Sequence, residues 1–166
     1  MLTIGIDPSL TATGLVAWHD GKVIIAKTCK NRPNLDTIPR VLEIVKELNS
    51  DIGNICDDSG WYLPPDVVVI EGFSYGSRGR GLFETAYLGY RIREELESNS
   101  FVKGQTYIEP SPNELKKFVT GKGNAPKDVM MQQVLKKWGY EAKDNNIADA
   151  FALAMMGVDY LNNGGK

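Results

Sequence analysis

The chain has 166 residues, of which 42% are hydrophobic and 24% are charged, and a formal net charge of −2. This length suits one well-buried domain, which we expect over 1–160, with a flexible tail over 161–166. No apolar run approaches the roughly 18 to 20 residues of a membrane span, and the start lacks a signal-peptide pattern, so a cytoplasmic protein is expected. The slightly acidic balance argues against an indiscriminate polyanion binder. Cys29 and Cys56 fit no metal motif and are expected to be free thiols.

Three short apolar or alternating runs at the start of the chain predict β-strands. They cover residues 2–7, 13–19 and 22–27. Asp20-Gly21, between the second and third runs, is a strong signal for a two-residue hairpin. Together these runs predict an antiparallel three-stranded edge of a sheet.

The rest of the chain alternates helical and strand-like patterns. Apolar residues at helical spacing predict a helix over 37–49, with Asp36 or Thr37 as its cap. The uniformly apolar run 67–70 is typical of a central strand covered on both faces. The later predictions are a helix over 82–97, a strand over 105–108, a helix capped by Ser111 or Asn113, a helix over 126–138 closed by Gly139, and a helix over 146–160. This order predicts an α/β fold in which helices flank a mixed sheet.

Three acidic residues lie where buried elements end or pack. Asp7 ends the first strand, Glu71 follows the run 67–70, and Asp149 lies inside the apolar helix near the C-terminus. A buried carboxylate is costly unless it is paired or binds a metal, and three that converge would repel one another without a cation between them. The pattern therefore indicates a carboxylate metal site.

Two basic stretches accompany these acids. Residues 116–127 contain four lysines and no acid, and residues 75–81 place two arginines in a glycine-rich segment that begins with Tyr75. Such stretches can follow the phosphates of a nucleic acid. The alternative is that both are simply solvated loops.

Four sequence blocks together resemble one enzyme family. They are residues 4–14 (IGIDPSLTATG), 69–71 (VIE), 121–127 (GKGNAPK) and 148–154 (ADAFALA). The first block alone also resembles the phosphate loop of actin and sugar-kinase ATPases, but 166 residues cannot supply the two domains those enzymes need. In order and spacing the blocks are similar to those of RuvC-type Holliday junction resolvases, and a phage-type member is a narrower reading. The resemblance implies a ribonuclease H-like fold with a mixed five-stranded sheet.

The resemblance also implies roles for the acidic residues. Asp7, Glu71 and Asp149 match metal ligands, and a further ligand position three residues before the last acid falls on Asn146. The family usually has Asp or His there, whereas asparagine offers a carbonyl oxygen without charge. Three readings stay open: Asn146 is a weaker ligand, Asp144 replaces it, or Asn146 is an engineered replacement of an aspartate. The implied cofactor is Mg²⁺, with Mn²⁺ as a substitute, at two ions per active site.

Further residues are implied to contact DNA or its scissile phosphate. Lys127 matches a catalytic lysine that opens a helix, and Phe73 or Tyr75 matches an aromatic that stacks on an unpaired base. The remaining candidates for DNA contact are basic side chains in the two stretches described above, namely Arg78, Arg80, Lys116, Lys117 and Lys122.

The resemblance implies that the enzyme is a homodimer that cuts four-way DNA junctions by paired nicks. Metal-assisted hydrolysis would leave a 5′ phosphate and a 3′ hydroxyl. Tyr87, Leu88 and Tyr90, in the predicted helix over 82–97, are the candidates for the dimer contact. The alternatives are a ribonuclease H-like nuclease with broader specificity for flaps, branched DNA or hybrids, and an inactive junction-binding homologue.

Overall fold

A computed structural model describes residues 1–30, 34–73, 80–98 and 107–165, except for the side chains of Lys30, Arg80 and Lys127. Five strands and five helices are present in these residues. The strands are β1 (Leu2–Asp7), β2 (Ala12–His19), β3 (Lys22–Lys30), β4 (Val67–Ile70) and β5 (Tyr107–Ile108). The helices are α1 (Thr37–Gly53), α2 (Arg80–Ser98), α3 (Pro112–Thr120), α4 (Lys127–Trp138) and α5 (Asn145–Asn162).

The five strands form one mixed sheet in the order β3-β2-β1-β4-β5. The pairs β1–β2 and β2–β3 are antiparallel, whereas β1–β4 and β4–β5 are parallel. This arrangement confirms the predicted α/β fold, its five-stranded sheet and its antiparallel three-stranded edge. The parallel strands run in the same direction as β1, so their C-terminal ends meet at one edge of the sheet.

The hairpin between β2 and β3 has the predicted two-residue turn. Asp20 and Gly21 both have positive φ values, 45° and 91°, and His19 pairs with Lys22 across the turn. Two positive φ angles match the right-handed twist of the flanking strands, and Asp followed by Gly tolerates that conformation well. Local sequence therefore determines this turn.

Helices cover both faces of the sheet and create two hydrophobic cores. On one face, α1 and α2 pack against side chains such as Ile4, Ile6 and Ile70. On the other face, α3, α4 and α5 pack against Val16 and Val69. Strand β4 is buried at all four residues, as its uniformly apolar sequence predicts.

Most element boundaries agree with the predictions, and the differences have local causes. Helix α1 continues to Gly53 because its apolar stripe continues to Ile52, which is buried. Helix α5 ends at Asn162, two residues inside the predicted tail. Helix α3 is capped by Ser111 rather than Asn113. Both cysteines are free, as expected: Cys29 is buried and Cys56 is exposed.

Helix α5 lies unusually close to the sheet because two glycines face it. A Cβ atom added to Gly5 would overlap the Ala150 carbonyl oxygen and lie 2.6 Å from the Ala154 nitrogen. A Cβ atom added to Gly14 would overlap the Asn146 carbonyl oxygen. The backbone of α5 therefore rests directly on β1 and β2, and side chains elsewhere on the helix are brought to the ends of these strands.

We predict that Gly5→Ala lowers the free energy of unfolding by about 3 kcal/mol or more, since the new methyl group collides with backbone atoms that cannot rotate away. Urea unfolding followed by circular dichroism measures the change. Gly81→Ala is the matched control, because Gly81 is exposed in α2 with nothing near a Cβ atom. This control is expected to leave stability unchanged or raise it by up to about 1 kcal/mol. Equal stability of the two variants would contradict the close contact of α5 with β1.

Candidate metal and nucleic-acid site

Asp7 ends β1 on the face of the sheet that α5 covers. Side chains alternate along a strand, so Asp7 shares a face with Gly5, which contacts α5. Asp7 is only 9% exposed, although it is charged. A carboxylate in this position is a strong candidate for a functional group, because burying it without compensation would destabilise the fold.

Glu71 lies next to Asp7 at the end of the adjacent parallel strand. Its backbone N–H donates a hydrogen bond to the Ile6 carbonyl oxygen at 2.9 Å, which continues the pairing of β1 and β4 by one residue. Val69 belongs to the core that includes α5, and Glu71 follows it by two residues. The same alternation therefore directs the half-buried Glu71 side chain toward the α5 side.

The first turns of α5 add Asn146 and Asp149 to this edge. Asn146 lies over Gly14, which is the β2 partner of Asp7. Asp149 follows one helical turn later and immediately precedes Ala150, whose carbonyl oxygen faces Gly5. Both side chains are half-buried. The structure thus brings to one sheet edge the four residues that the sequence predicts as metal ligands.

Asp144 has a different role from the one suggested as an alternative. It is the N-cap of α5, and its Oδ1 accepts a hydrogen bond from the Ile147 N–H at 2.9 Å. Its Oδ2 accepts one from the Thr28 hydroxyl at 3.1 Å, and Thr28 pairs with Gly14 in the sheet. Both carboxylate oxygens therefore attach the start of α5 to its own backbone and to β3. This arrangement favours Asn146 over Asp144 as the fourth member of the cluster.

The donor set at this edge suits a hard divalent cation. The three carboxylates and the one amide can all offer oxygen atoms as ligands. Mg²⁺ and Mn²⁺ prefer oxygen ligands. One carboxylate is buried and two are half-buried, so a cation would offset their mutual repulsion. The residues present therefore fit the metal that the sequence predicts.

A second acidic cluster lies elsewhere, between β3 and α1. The Cys29 sulfur and carboxylate oxygens of Glu47 and Asp51 lie within 4.8 Å of one another. The Lys27 ammonium contacts both of these carboxylates at 2.8 Å, and hydrogen bonds to Asp51 and Glu47 raise the pKa of Lys27. A resident cation thus already balances this pair, and the cluster lies on the α1 side of the sheet, opposite the α5 side that Asp7 faces.

Phe73 is packed against α2 rather than projecting freely. Its ring centroid lies 5.1 Å from that of Tyr90 and 4.7 Å from the Arg93 guanidinium carbon. A Cβ atom added to Gly89 would lie 2.8 Å from the ring, so the ring rests on the helix backbone. These contacts leave Phe73 half-buried. Tyr75, the other aromatic candidate, lies outside the described residues.

The predicted basic residues fall on α3 and on the connection to α4. Lys116 is half-buried, and Lys117 and Lys122 are exposed. Lys127 is the first residue of α4, and Pro126 provides no side-chain cap for that helix, so N–H groups at its start are available to an anion. The side chains of Lys127 and Arg80 are not described, and Arg78 lies outside the described residues.

Helix α3 is held in place by a complete capping box. The Glu114 N–H donates to the Ser111 hydroxyl oxygen, and the Ser111 N–H and hydroxyl both donate to the Glu114 carboxylate. These hydrogen bonds from Ser111 lower the pKa of the Glu114 carboxyl. The cap gives α3 a defined start, which in turn gives Lys116 and Lys117 a defined position on the helix.

One functional candidate was not identified from the sequence. Arg93 is 6% exposed and contacts both the Glu71 carbonyl and the Phe73 ring. In the sequence it differs little from Arg91, which is half-buried and forms ion pairs with Glu94 and Glu95 of its own helix. The one available signal was Gly89, a helix-interior glycine four residues earlier.

The prediction that Leu88 contributes to a dimer contact was wrong, because this side chain is fully buried in the core.

No protein-family model matches the sequence. A crossover junction endodeoxyribonuclease RuvC of Chlorobium phaeovibrioides is 31% identical, across 99% of this chain and 84% of that protein. This chain belongs to the RuvC family. A second RuvC relative, from Carboxydothermus hydrogenoformans, is 28% identical across 99% of both chains. The resemblance carried by the four sequence blocks is confirmed, but nothing in these relatives supports the narrower phage-type reading.

Solved RuvC structures share the fold. Thermus thermophilus RuvC has a TM-score of 0.77 and 20% identity, across 99% of this chain and 98% of that one. T. thermophilus RuvC in complex with a Holliday junction substrate gives a TM-score of 0.77 and 19% identity, across 99% of this chain and 97% of that one. At such identities the likeness establishes the fold alone, and it confirms the predicted ribonuclease H-like architecture. In the portion of the chain that is described, no helix combines the length and apolar character required to cross a membrane.

We predict that Asp144 acts as a helix cap of this RuvC homologue and not as a metal ligand. Asp144→Asn should keep wild-type thermal stability and Mn²⁺ affinity, because asparagine caps helices about as well as aspartate. Asp144→Ala should lose about 1 kcal/mol of stability. Thermal unfolding and isothermal titration with Mn²⁺ measure both quantities. A large loss of Mn²⁺ affinity in Asp144→Asn would instead identify Asp144 as a ligand.

Proposed function

We propose that this chain is a structure-selective endodeoxyribonuclease that resolves four-way DNA junctions by paired symmetric nicks. The observation that carries the proposal is the placement of Asp7, Glu71 and Asp149 at one sheet edge in a chain of the RuvC family. Relatives bear the name crossover junction endodeoxyribonuclease, and a structural neighbour was solved with a Holliday junction substrate. We also propose that the protein acts in the cytoplasm, where it would meet such a DNA substrate.

Four side chains would hold the metal that the family's reaction requires. Asp7, Glu71 and Asp149 would contribute carboxylate oxygens, and Asn146 its amide oxygen. We propose two Mg²⁺ ions per site, replaceable by Mn²⁺, which would supply an activated water and stabilise charge on the departing oxygen. Asp7 is buried, and its strand β1 is paired with β2 on one side and with β4 on the other. This pairing fixes the backbone that carries the Asp7 carboxylate.

Basic residues of α3, of α4 and of the connection between these helices would act on the phosphate. Hydrolysis joins a water oxygen to phosphorus and breaks the bond to the 3′ oxygen, which leaves a 5′ phosphate and a 3′ hydroxyl. Lys127, at the start of α4, would neutralise the reacting phosphate together with the first N–H groups of that helix, which Pro126 does not cap. Lys116, Lys117 and Lys122 would contact neighbouring phosphates, which fix the position of DNA without reading its sequence.

The segment after Glu71 would contact the unpaired region of the junction. Tyr75 becomes the stronger base-stacking candidate, since Phe73 already packs on α2. Arg78 and Arg80 follow it in the chain and would neutralise phosphates of the same strand.

Paired nicks imply two copies of the site, and we propose a two-fold homodimer. Helix α2 offers exposed apolar side chains for the contact, with Phe83 78% exposed and Tyr90 64% exposed. Tyr87 is only partly available, because it packs against the core. Phe83 therefore replaces Leu88 among the candidates.

We predict that wild-type protein in Mg²⁺ cuts a labelled four-way junction at symmetric positions, and that Asp7→Asn lowers the rate by about 100-fold or more. Asp159→Asn is the matched control, because Asp159 is an exposed acid at the far end of α5. Labels on different strands show whether both nicks form within one complex. Duplex, flap and RNA–DNA hybrid are tested beside the junction.

The outcomes of this experiment separate the proposed activities. Preference for the junction with paired nicks supports a resolvase. Equal cutting of flaps or hybrids would replace it with a nuclease of broader specificity, and tight junction binding without metal-dependent cutting would indicate an inactive homologue. Equal loss of activity in Asp159→Asn would contradict the assignment of Asp7.

Asn146 generates a separate prediction. Asn146→Asp should lower the Mg²⁺ concentration that half-saturates cleavage by about 10-fold, because a charged oxygen replaces a neutral one. Asn162→Asp adds the same charge at the far end of α5 and should leave this concentration unchanged. A titration of cleavage rate against Mg²⁺ measures the effect. If Asn146→Asp cuts DNA and the wild type does not, the asparagine at position 146 alone explains why the wild-type chain is inactive.

A further inference from the structure

Arg93 is a buried cation in the middle of α2. The residue is 6% exposed, and its guanidinium group carries a positive charge. Burying such a group is costly unless hydrogen bonds and an opposite charge compensate it. The compensating partners of Arg93 therefore show what the residue is placed to hold.

Glu109 provides the opposite charge in a bidentate arrangement. Nε and Nη2 of Arg93 donate to the two carboxylate oxygens of Glu109, each at 2.9 Å. Glu109 follows β5 directly. A two-pronged pair of this kind fixes the plane of the guanidinium group as well as its position.

The same guanidinium group contacts the segment that follows β4. Nη2 lies 3.5 Å from the Glu71 carbonyl oxygen, and the Phe73 ring centroid lies 4.7 Å from the guanidinium carbon. Nη1 donates to the Gly89 carbonyl oxygen at 2.8 Å, which anchors the group to its own helix. Arg93 thus has one partner after β5 and two in residues 71–73.

Two backbone features, besides Arg93, hold residues 71–73 in place. The Gly72 N–H donates to the Pro110 carbonyl oxygen at 2.8 Å, which ties residues 71–73 to the chain after β5. Gly89 leaves space for the Phe73 ring, since a Cβ atom there would lie 2.8 Å from the ring and 2.9 Å from Arg93 Nη1. Arg93, Gly89 and Pro110 therefore all contact residues 71–73.

We infer that Arg93, oriented by Glu109, is a positioning residue for Glu71. It sets the backbone of residues 71–73 so that the Glu71 carboxylate faces the α5 side of the sheet, beside Asp7. This inference rests on the proposed function, because it takes Glu71 as a metal ligand. Arg93 itself touches neither metal nor substrate.

The test measures Mn²⁺ binding by electron paramagnetic resonance, without DNA and without turnover. Arg93→Met should weaken Mn²⁺ binding by about 10-fold, the range seen when groups that orient metal ligands are removed. Arg91→Met is the matched control, because Arg91 is a half-buried arginine on the same helix that pairs with Glu94 and Glu95 of that helix. This control should bind Mn²⁺ as the wild type does.

A second variant covers the case in which Arg93→Met fails to fold. The double variant Arg93→Met/Glu109→Gln removes both charges, so the Glu109 carboxylate, which is 38% exposed, is not left without its cationic partner, and the variant should fold at least as well as the single one. It should show the same loss of Mn²⁺ affinity. In a Glu71→Gln background, Arg93→Met should cause no additional loss, since its effect passes through Glu71.

The results distinguish the inference from the proposed function. If Glu71→Gln weakens Mn²⁺ binding but the folded Arg93 variants bind normally, Arg93 has only a structural role and the inference is overturned. If Glu71→Gln itself leaves Mn²⁺ binding unchanged, Glu71 is not a ligand, and both the inference and this part of the proposed site fail. A lower melting temperature with unchanged Mn²⁺ affinity likewise overturns the positioning role.

Discussion

The close contact between α5 and the sheet is the constraint on which the candidate site depends. Gly5 and Gly14 have no Cβ atoms, and the backbone of α5 occupies the space those atoms would fill. Because the helix cannot move outward without leaving a void, its first turns stay at the ends of β1 and β2. Asn146 and Asp149 therefore lie beside Asp7 through backbone packing and not through a flexible side-chain contact.

A second restraint acts on the start of the same helix. Asp144 caps α5 with one carboxylate oxygen and bonds Thr28 with the other. Thr28, Gly14 and Asp7 lie in one cross-strand row of the sheet. The two bonds of Asp144 therefore fix the rotation of α5 about its axis relative to the row that contains Asp7. Packing at the glycines sets the depth of the helix, and the cap sets its beginning.

The site combines rigid and more adjustable parts. Asp7 belongs to the paired strand β1, and the start of α5 belongs to the core on the same face of the sheet. Glu71 lies just beyond the last residue of β4. Its N–H still bonds the Ile6 carbonyl of β1, but the position of residues 71–73 also depends on contacts with α2 and with Pro110. A ligand outside regular structure needs support from elsewhere in the fold. The ion pair between the buried Arg93 guanidinium and the more exposed Glu109 carboxylate supplies such support here, at the cost of desolvating the arginine.

The sequence by itself determined the elements and the acidic candidates. The Asp20-Gly21 turn, the uniformly apolar β4 and the stripe of α1 depend on local conformational preferences and on burial periodicity, which the order of residues expresses directly. The tertiary structure alone decided that Asp144 is a cap, that Leu88 is core, and that Phe73 packs under Arg93. These outcomes depend on contacts between residues far apart in the chain, for example Arg93 with Glu109 and Thr28 with Asp144. Such contacts leave no periodic signal in the sequence, because each partner is a polar or charged residue of a type that is common at protein surfaces.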